Sequence, residues 1–167
     1  METLFFLIVA AIAVISSLLV VTNKNPINSA LSLIMTFFCL ATLYVMLEAP
    51  FMAAIQVIVY AGAIMVLIVF VIMLLNIRSE SGGRTAHARF MGIATGLVLL
   101  VLTGALLAKS SLSSVRGNID SAMIAKVGHT ELIGRSLFTD FLLPFEITSI
   151  LLLAAIVGAV VLSKKKL

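Results

Sequence analysis

Residues 51–75 read FMAAIQVIVYAGAIMVLIVFVIMLL, a run with no charged side chain. As a regular helix at 1.5 Å per residue it would be about 38 Å long. That exceeds the roughly 30 Å of hydrocarbon in a bilayer. The run lacks the alternation of polar and apolar residues that marks a membrane barrel strand. A segment in lipid must satisfy its own backbone groups, so this segment is expected to be a transmembrane helix. Its excess length means that it tilts, bends or protrudes.

Four more stretches of similar character flank it, giving five in all: Leu4–Val21, Ala30–Leu47, Phe51–Leu75, Phe90–Ala108 and Phe141–Leu162. Of the 167 residues, 62% are hydrophobic and 11% charged, whereas soluble domains run nearer half apolar and a quarter charged. The expected fold is an all-α integral membrane protein with five transmembrane helices, forming a single membrane domain over residues 1–167. The first stretch is expected to persist as a helix and not to serve as a signal peptide. Its flank carries Glu2 and no basic residue, and no small-residue cleavage site follows it.

Basic residues set the expected topology. Lys24 lies in the first connection, Arg78, Arg84 and Arg89 in the third, and Lys164, Lys165 and Lys166 at the C-terminus. With five crossings these share one side. The other side holds Glu2, the Glu48-Ala49-Pro50 turn, and a long connection over about 109–140 with Lys109, Arg116, Lys126 and Arg135. The split of seven basic residues to four places the N-terminus outside and the C-terminus in the cytoplasm. Asn25-Pro26 followed by Asn28-Ser29 reads as a tight turn into a capped second helix. The polar stretch Ser79–Arg84, with Gly82-Gly83, reads as a flexible loop. The long outer loop exceeds a simple turn and is expected to be either partner-bound or partly helical. There is no internal repeat of the kind found in many secondary transporters.

Several function classes are disfavoured. The net charge of +4 is scattered between apolar runs except at the terminal lysines, where a topology anchor explains it better than nucleic acid does. Cys39 is alone, and His87 and His129 sit in separate polar segments, so no metal site is expected. There is no glycine-rich phosphate motif and no nucleophile with a matching base. The centre of each span also lacks the Lys or Asp that marks an autonomous ion pump. No catalytic or redox site is expected on this chain.

Chemistry is left to a few positions. Gln56 and Tyr60 are four apart and on a regular helix share a face one turn apart. They either bond a neighbouring helix or touch a water-filled path. Ala61-Gly62-Ala63 beside them suits close helix packing. Glycine there also lowers the cost of a wide, π-type turn, and such turns cluster at functional sites. Two acids lie near membrane depth. Glu48 ends the second helix within reach of the outer interface. Glu146, after Pro144 and ahead of Thr148-Ser149, is either favoured by a helix N-terminus or functional within the membrane.

The run from Gln56 through Tyr60, Gly62 and Val66 to Asn76 resembles the signature third helix of subunit J of bacterial type I NADH–quinone oxidoreductase. The mitochondrial counterpart of that subunit is subunit six of respiratory complex I. Asn25-Pro26, Ile133-Gly134, Leu137-Phe138, Leu143-Pro144-Phe145-Glu146 and the stretch Gly158–Leu162 fit the same family. The resemblance implies a multi-pass subunit of the bacterial inner (plasma) membrane, helping couple quinone reduction to proton translocation. Flavin, iron–sulfur clusters and quinone would then belong to partner subunits. This chain would pack in lipid between the quinone-site subunit and the antiporter-like subunits. It further implies that the third helix around Tyr60, Gly62, Ala63 and Val66 changes between wide and regular winding to gate a proton path. Some relatives have Glu where this chain has Gln56, which cannot titrate. The alternatives are a subunit of a related cation antiporter or membrane-bound hydrogenase, or a structural or assembly membrane protein.

Overall fold

The computed structural model describes residues 1–75, 86–109 and 121–164. These residues are helical, with no strand among them. The helices are α1 (Glu2–Thr22), α2 (Pro26–Met46), α3 (Pro50–Leu75), α4 (Ala86–Lys109), α5 (Ser121–Val127), α6 (His129–Phe138) and α7 (Leu142–Ser163). Five of them, α1, α2, α3, α4 and α7, are long and apolar enough to cross a membrane. Large apolar side chains such as Phe6, Ile58, Leu100 and Leu151 face outward along these helices, the reverse of a soluble fold. The protein is a multi-pass membrane protein.

The chain divides into two compact units, one of Met1–Glu48 with Met52–Arg116 and one of Ala49–Phe51 with Gly117–Leu167. The first unit is built on the α1–α2 hairpin. Apart from Ala10 beside Val9, the covered positions along α1 and its C-cap are Val9, Ala13, Ser16, Val20 and Asn23, with Val9 and Ser16 buried. Their alternating steps of four and three form the narrow seam of left-handed helix packing. On α2 the buried residues are Ala30 and Ala41 on one face and Cys39 on another, small side chains that let neighbouring backbones approach.

Polar residues fasten the closed end of the hairpin. The Asn25 side chain accepts the N–H of Ile27 at 2.9 Å, and Pro26 takes the first helical position, where its fixed φ suits the helix and its missing N–H costs nothing. The second helix therefore starts at Pro26, earlier than the Ala30 expected from hydropathy. The reason is that Ser29 and Ser32 lie inside the helix and bond across the hairpin. Ser29 donates to the Val20 carbonyl, and the Asn23 amide donates to Ser32 Oγ at 3.3 Å.

At the other end of α2, the Glu48 N–H bonds the Val45 carbonyl at 3.1 Å. Glu48 then takes the left-handed conformation with φ 56, which costs a non-glycine residue roughly 1–2 kcal/mol. The chain turns there into α3, which packs along α2. α4 packs against no other helix of its unit among the described residues, and every side chain from Phe90 to Lys109 is exposed.

In the second unit α5 leads into α6, and α6 packs against α7. The long connection is thus partly helical. Arg135 donates to Glu131 at 2.8 Å on the exposed side of α6, a pair one turn apart. The rings of Phe138 and Phe145 meet edge to face at 5.0 Å, joining the end of α6 to the second turn of α7. The expected loop at Ser79–Arg84 and residues 110–120 of the long connection lie outside the described residues.

Candidate functional site

α3 is not wound uniformly. Pro50–Ile55 and Met65–Leu75 are regular α-helix, and Gln56–Ile64 between them is wound as a π-helix. At its upper end the Met65 N–H donates to two carbonyls, that of Tyr60 five residues back and that of Gly62. A wide turn is rare because regular winding packs and bonds better. Here two local features narrow that preference. Val57-Ile58-Val59 are three β-branched residues in a row, which lose rotamer freedom in a regular helix. Gly62 has the poorest helix propensity of any residue but proline.

The winding decides which side chains are covered. Along α3 the buried residues are Ala53, Gln56, Ala61 and Met65, the last only 1% exposed. The step from Gln56 to Ala61 is five residues, which on a regular helix advances about 500° and lands about 140° off the starting face. The wide turn absorbs that excess. Gln56 and Tyr60 therefore do not share an environment one turn apart, as regular spacing had them: Gln56 is 8% exposed and Tyr60 is 45% exposed.

Tyr60 instead sets its ring edge to face against Phe37 of α2, with centroids 5.8 Å apart. Such pairs stabilise by about 0.5–1.5 kcal/mol beyond burial. Neither the Tyr60 hydroxyl nor the Gln56 amide bonds another described residue. Gly62 is half-buried, while Ala63 and Val66 are exposed. A Cβ added to Gly62 would stand 3.2 Å from the Val57 carbonyl oxygen.

Beside the lower end of the wide turn lies an open apolar groove of about 480 Å³, lined by Phe5, Phe38, Ala41, Val45, Ala53 and Val57. The Thr42 hydroxyl on its wall is engaged with the Phe38 carbonyl at 2.9 Å. Ordered water needs two to four polar partners, so this groove does not suit a file of water.

The two acids stand apart from this segment in the chain. Glu48 is exposed at the end of α2. Glu146 is exposed beyond the first turn of α7, where its own carbonyl accepts the Ser149 hydroxyl at 2.7 Å. Among the described residues no three His, Cys, Asp or Glu side chains gather as metal ligands. Sequence spacing missed Phe37 and Met65. Phe37 carried no signal because its contact is with a residue on another helix. Met65 was hidden by the change of winding, whereas Ala61, read as a close-packing residue, is buried.

The sequence descriptors of the NADH-ubiquinone/plastoquinone oxidoreductase chain 6 family match residues 16–162. The chain belongs to that family. It is 35% identical to NADH-quinone oxidoreductase subunit J of Rickettsia typhi, over 98% of this chain and 80% of the relative. It is 38% identical to subunit J of the same enzyme from Pseudomonas aeruginosa, over 92% of each. It is also 38% identical to F(420)H(2) dehydrogenase subunit J of Methanosarcina mazei, over 98% of this chain and 92% of the relative. The family's description and the names of the first two relatives mark it as one of subunits of the multi-subunit NADH–quinone oxidoreductase.

Proposed function

We propose that this chain is a membrane-arm subunit that helps couple quinone reduction to proton translocation, with α3 as a conformational gate. The observation that carries the reading is the wide turn Gln56–Ile64 in the middle of a membrane span. Two windings of close energy give a two-state element, and such an element converts a distant chemical event into an open or shut path. Gln56, Tyr60, Gly62, Ala63 and Val66 are the residues of that element. Gln56 does not titrate, so it orients water or a partner's polar group and carries no proton itself. Glu48 and Glu146 are the acids nearest membrane depth, both towards the outer side in this topology.

In this reading the five spans form one membrane domain, N-terminus outside and C-terminus in the cytoplasm, in the bacterial inner membrane. The chain holds no catalytic site. Flavin, iron–sulfur clusters and quinone sit on partner subunits, and its neighbours are the quinone-site and antiporter-like subunits. A second reading keeps the gate but changes the electron donor, because the Methanosarcina mazei relative belongs to an F(420)H(2) dehydrogenase.

The test is Gly62→Leu in membranes with matched complex content. Overpacking costs about 1–3 kcal/mol, and each 1.4 kcal/mol is about tenfold in a population ratio. Quinone-coupled turnover and proton pumping fall by about tenfold, while NADH oxidation with an artificial acceptor persists. Normal coupled turnover in the assembled variant would make Gly62 packing alone and remove the gate from this site.

A further inference from the structure

We propose that the groove between α1, α2 and α3 is a lipid site, and that its occupant is a phospholipid with a primary-amine headgroup. At the end of α2 the apolar groove runs into a second hollow of about 460 Å³, lined by Met1, Glu2, Phe5, Met46 and Glu48. Phe5 and Met46 are walls of both, so the two adjoin. The result is an apolar trough with two carboxylates at its mouth.

The length of the trough fits one acyl chain. Along α2 its wall rises from Phe38 to Met46, about 12 Å at 1.5 Å per residue, and Glu48 lies just beyond. One leaflet is about 15 Å deep, half of the hydrocarbon core. A partner's transmembrane helix would need a seat crossing both leaflets, and this trough serves only one. The chemistry fits as well. The Thr42 hydroxyl on its wall is already bonded within α2, so a methylene chain lying there leaves no hydrogen bond unmade.

The mouth selects the headgroup. Glu2 and Glu48 are exposed, and neither pairs with a cation among the described residues, the Met1 amino group included. No lysine or arginine lines either part of the trough. Two carboxylates repel an anionic headgroup and attract a cationic one. A primary ammonium also donates charge-assisted hydrogen bonds to them, whereas a quaternary ammonium has no N–H to give. Phosphatidylethanolamine therefore fits better than phosphatidylcholine or phosphatidylglycerol.

The experiment uses the intact complex in phosphatidylcholine nanodiscs, each doped with one lipid probe carrying a photoreactive diazirine midway along an acyl chain. The probes are phosphatidylethanolamine, phosphatidylcholine and phosphatidylglycerol, and labelling is mapped on peptides covering residues 38–57. The ethanolamine probe labels these peptides about threefold to tenfold more than either other probe, the effect of one or two exposed ion pairs. Val45→Phe adds a ring at an exposed position in the trough and lowers that labelling. Glu2→Gln combined with Glu48→Gln brings it down to the phosphatidylcholine level. Equal labelling by the three probes in the unmodified complex overturns the site, and so does undiminished labelling in either variant that assembles. Absence of labelling by every probe means that a partner subunit covers the trough, and it overturns the site too. The comparison of probes needs no substitution, so it decides the proposal even where a variant fails to assemble.

Discussion

The α-carbon of Gly62 lies so close to the Val57 carbonyl that a β-carbon there would meet the oxygen at 3.2 Å. The neighbour is backbone, five residues earlier in the same helix, so no side chain can swing aside to relieve the contact. Relief requires the wide turn itself to shift.

Gly62→Ala presses on the wide turn in two ways, by the close Cβ contact with the Val57 carbonyl and by helix propensity. Alanine adds little bulk but favours regular helix over glycine by about 0.8–1 kcal/mol. The substitution should therefore bias α3 towards the regular form by about fivefold. Coupled turnover in membranes falls measurably, and exchange of the amides over residues 57–65 slows. Faster exchange after the substitution would show that glycine is not what admits the wide turn.

The hairpin end makes a second prediction, about stability. Asn25→Ala removes the cap on the Ile27 N–H and costs about 1 kcal/mol. Ser29→Ala removes a bond to the Val20 carbonyl, and intramembrane side-chain bonds average only about 0.6 kcal/mol. In dodecylsulfate titrations of the chain in detergent micelles, the unfolding midpoint drops further for Asn25→Ala than for Ser29→Ala. The opposite order would mean that the crossing bond, and not the cap, sets the α1–α2 junction.

Topology is tested by single cysteines at Ser81 and at Thr130, in a Cys39→Ala background that removes the buried native thiol. With a membrane-impermeant maleimide, Ser81→Cys labels from the cytoplasmic side and Thr130→Cys from the opposite side. Labelling of both from one side would break the five-crossing arrangement that the seven-to-four split of basic residues predicts.

The sequence by itself determined the class of this protein and the number and order of its spans. Long uncharged runs such as 51–75 have one stable form in lipid, and that constraint is local, so helix number and order follow from composition along the chain. The Asn25-Pro26 start was also local, since cap and proline act on the next few residues. Even the inclination of Gln56–Ile64 to wind irregularly was legible in Gly62. What the winding does to the side chains was not. Regular spacing joins Gln56 to Tyr60, and the wide turn buries Ala61 in that role and hands Tyr60 to Phe37. That outcome depends on how α3 packs along α2, where contributions of about 1 kcal/mol decide between two windings. Differences so small are resolved by neighbouring helices, and no pattern within a single segment encodes them.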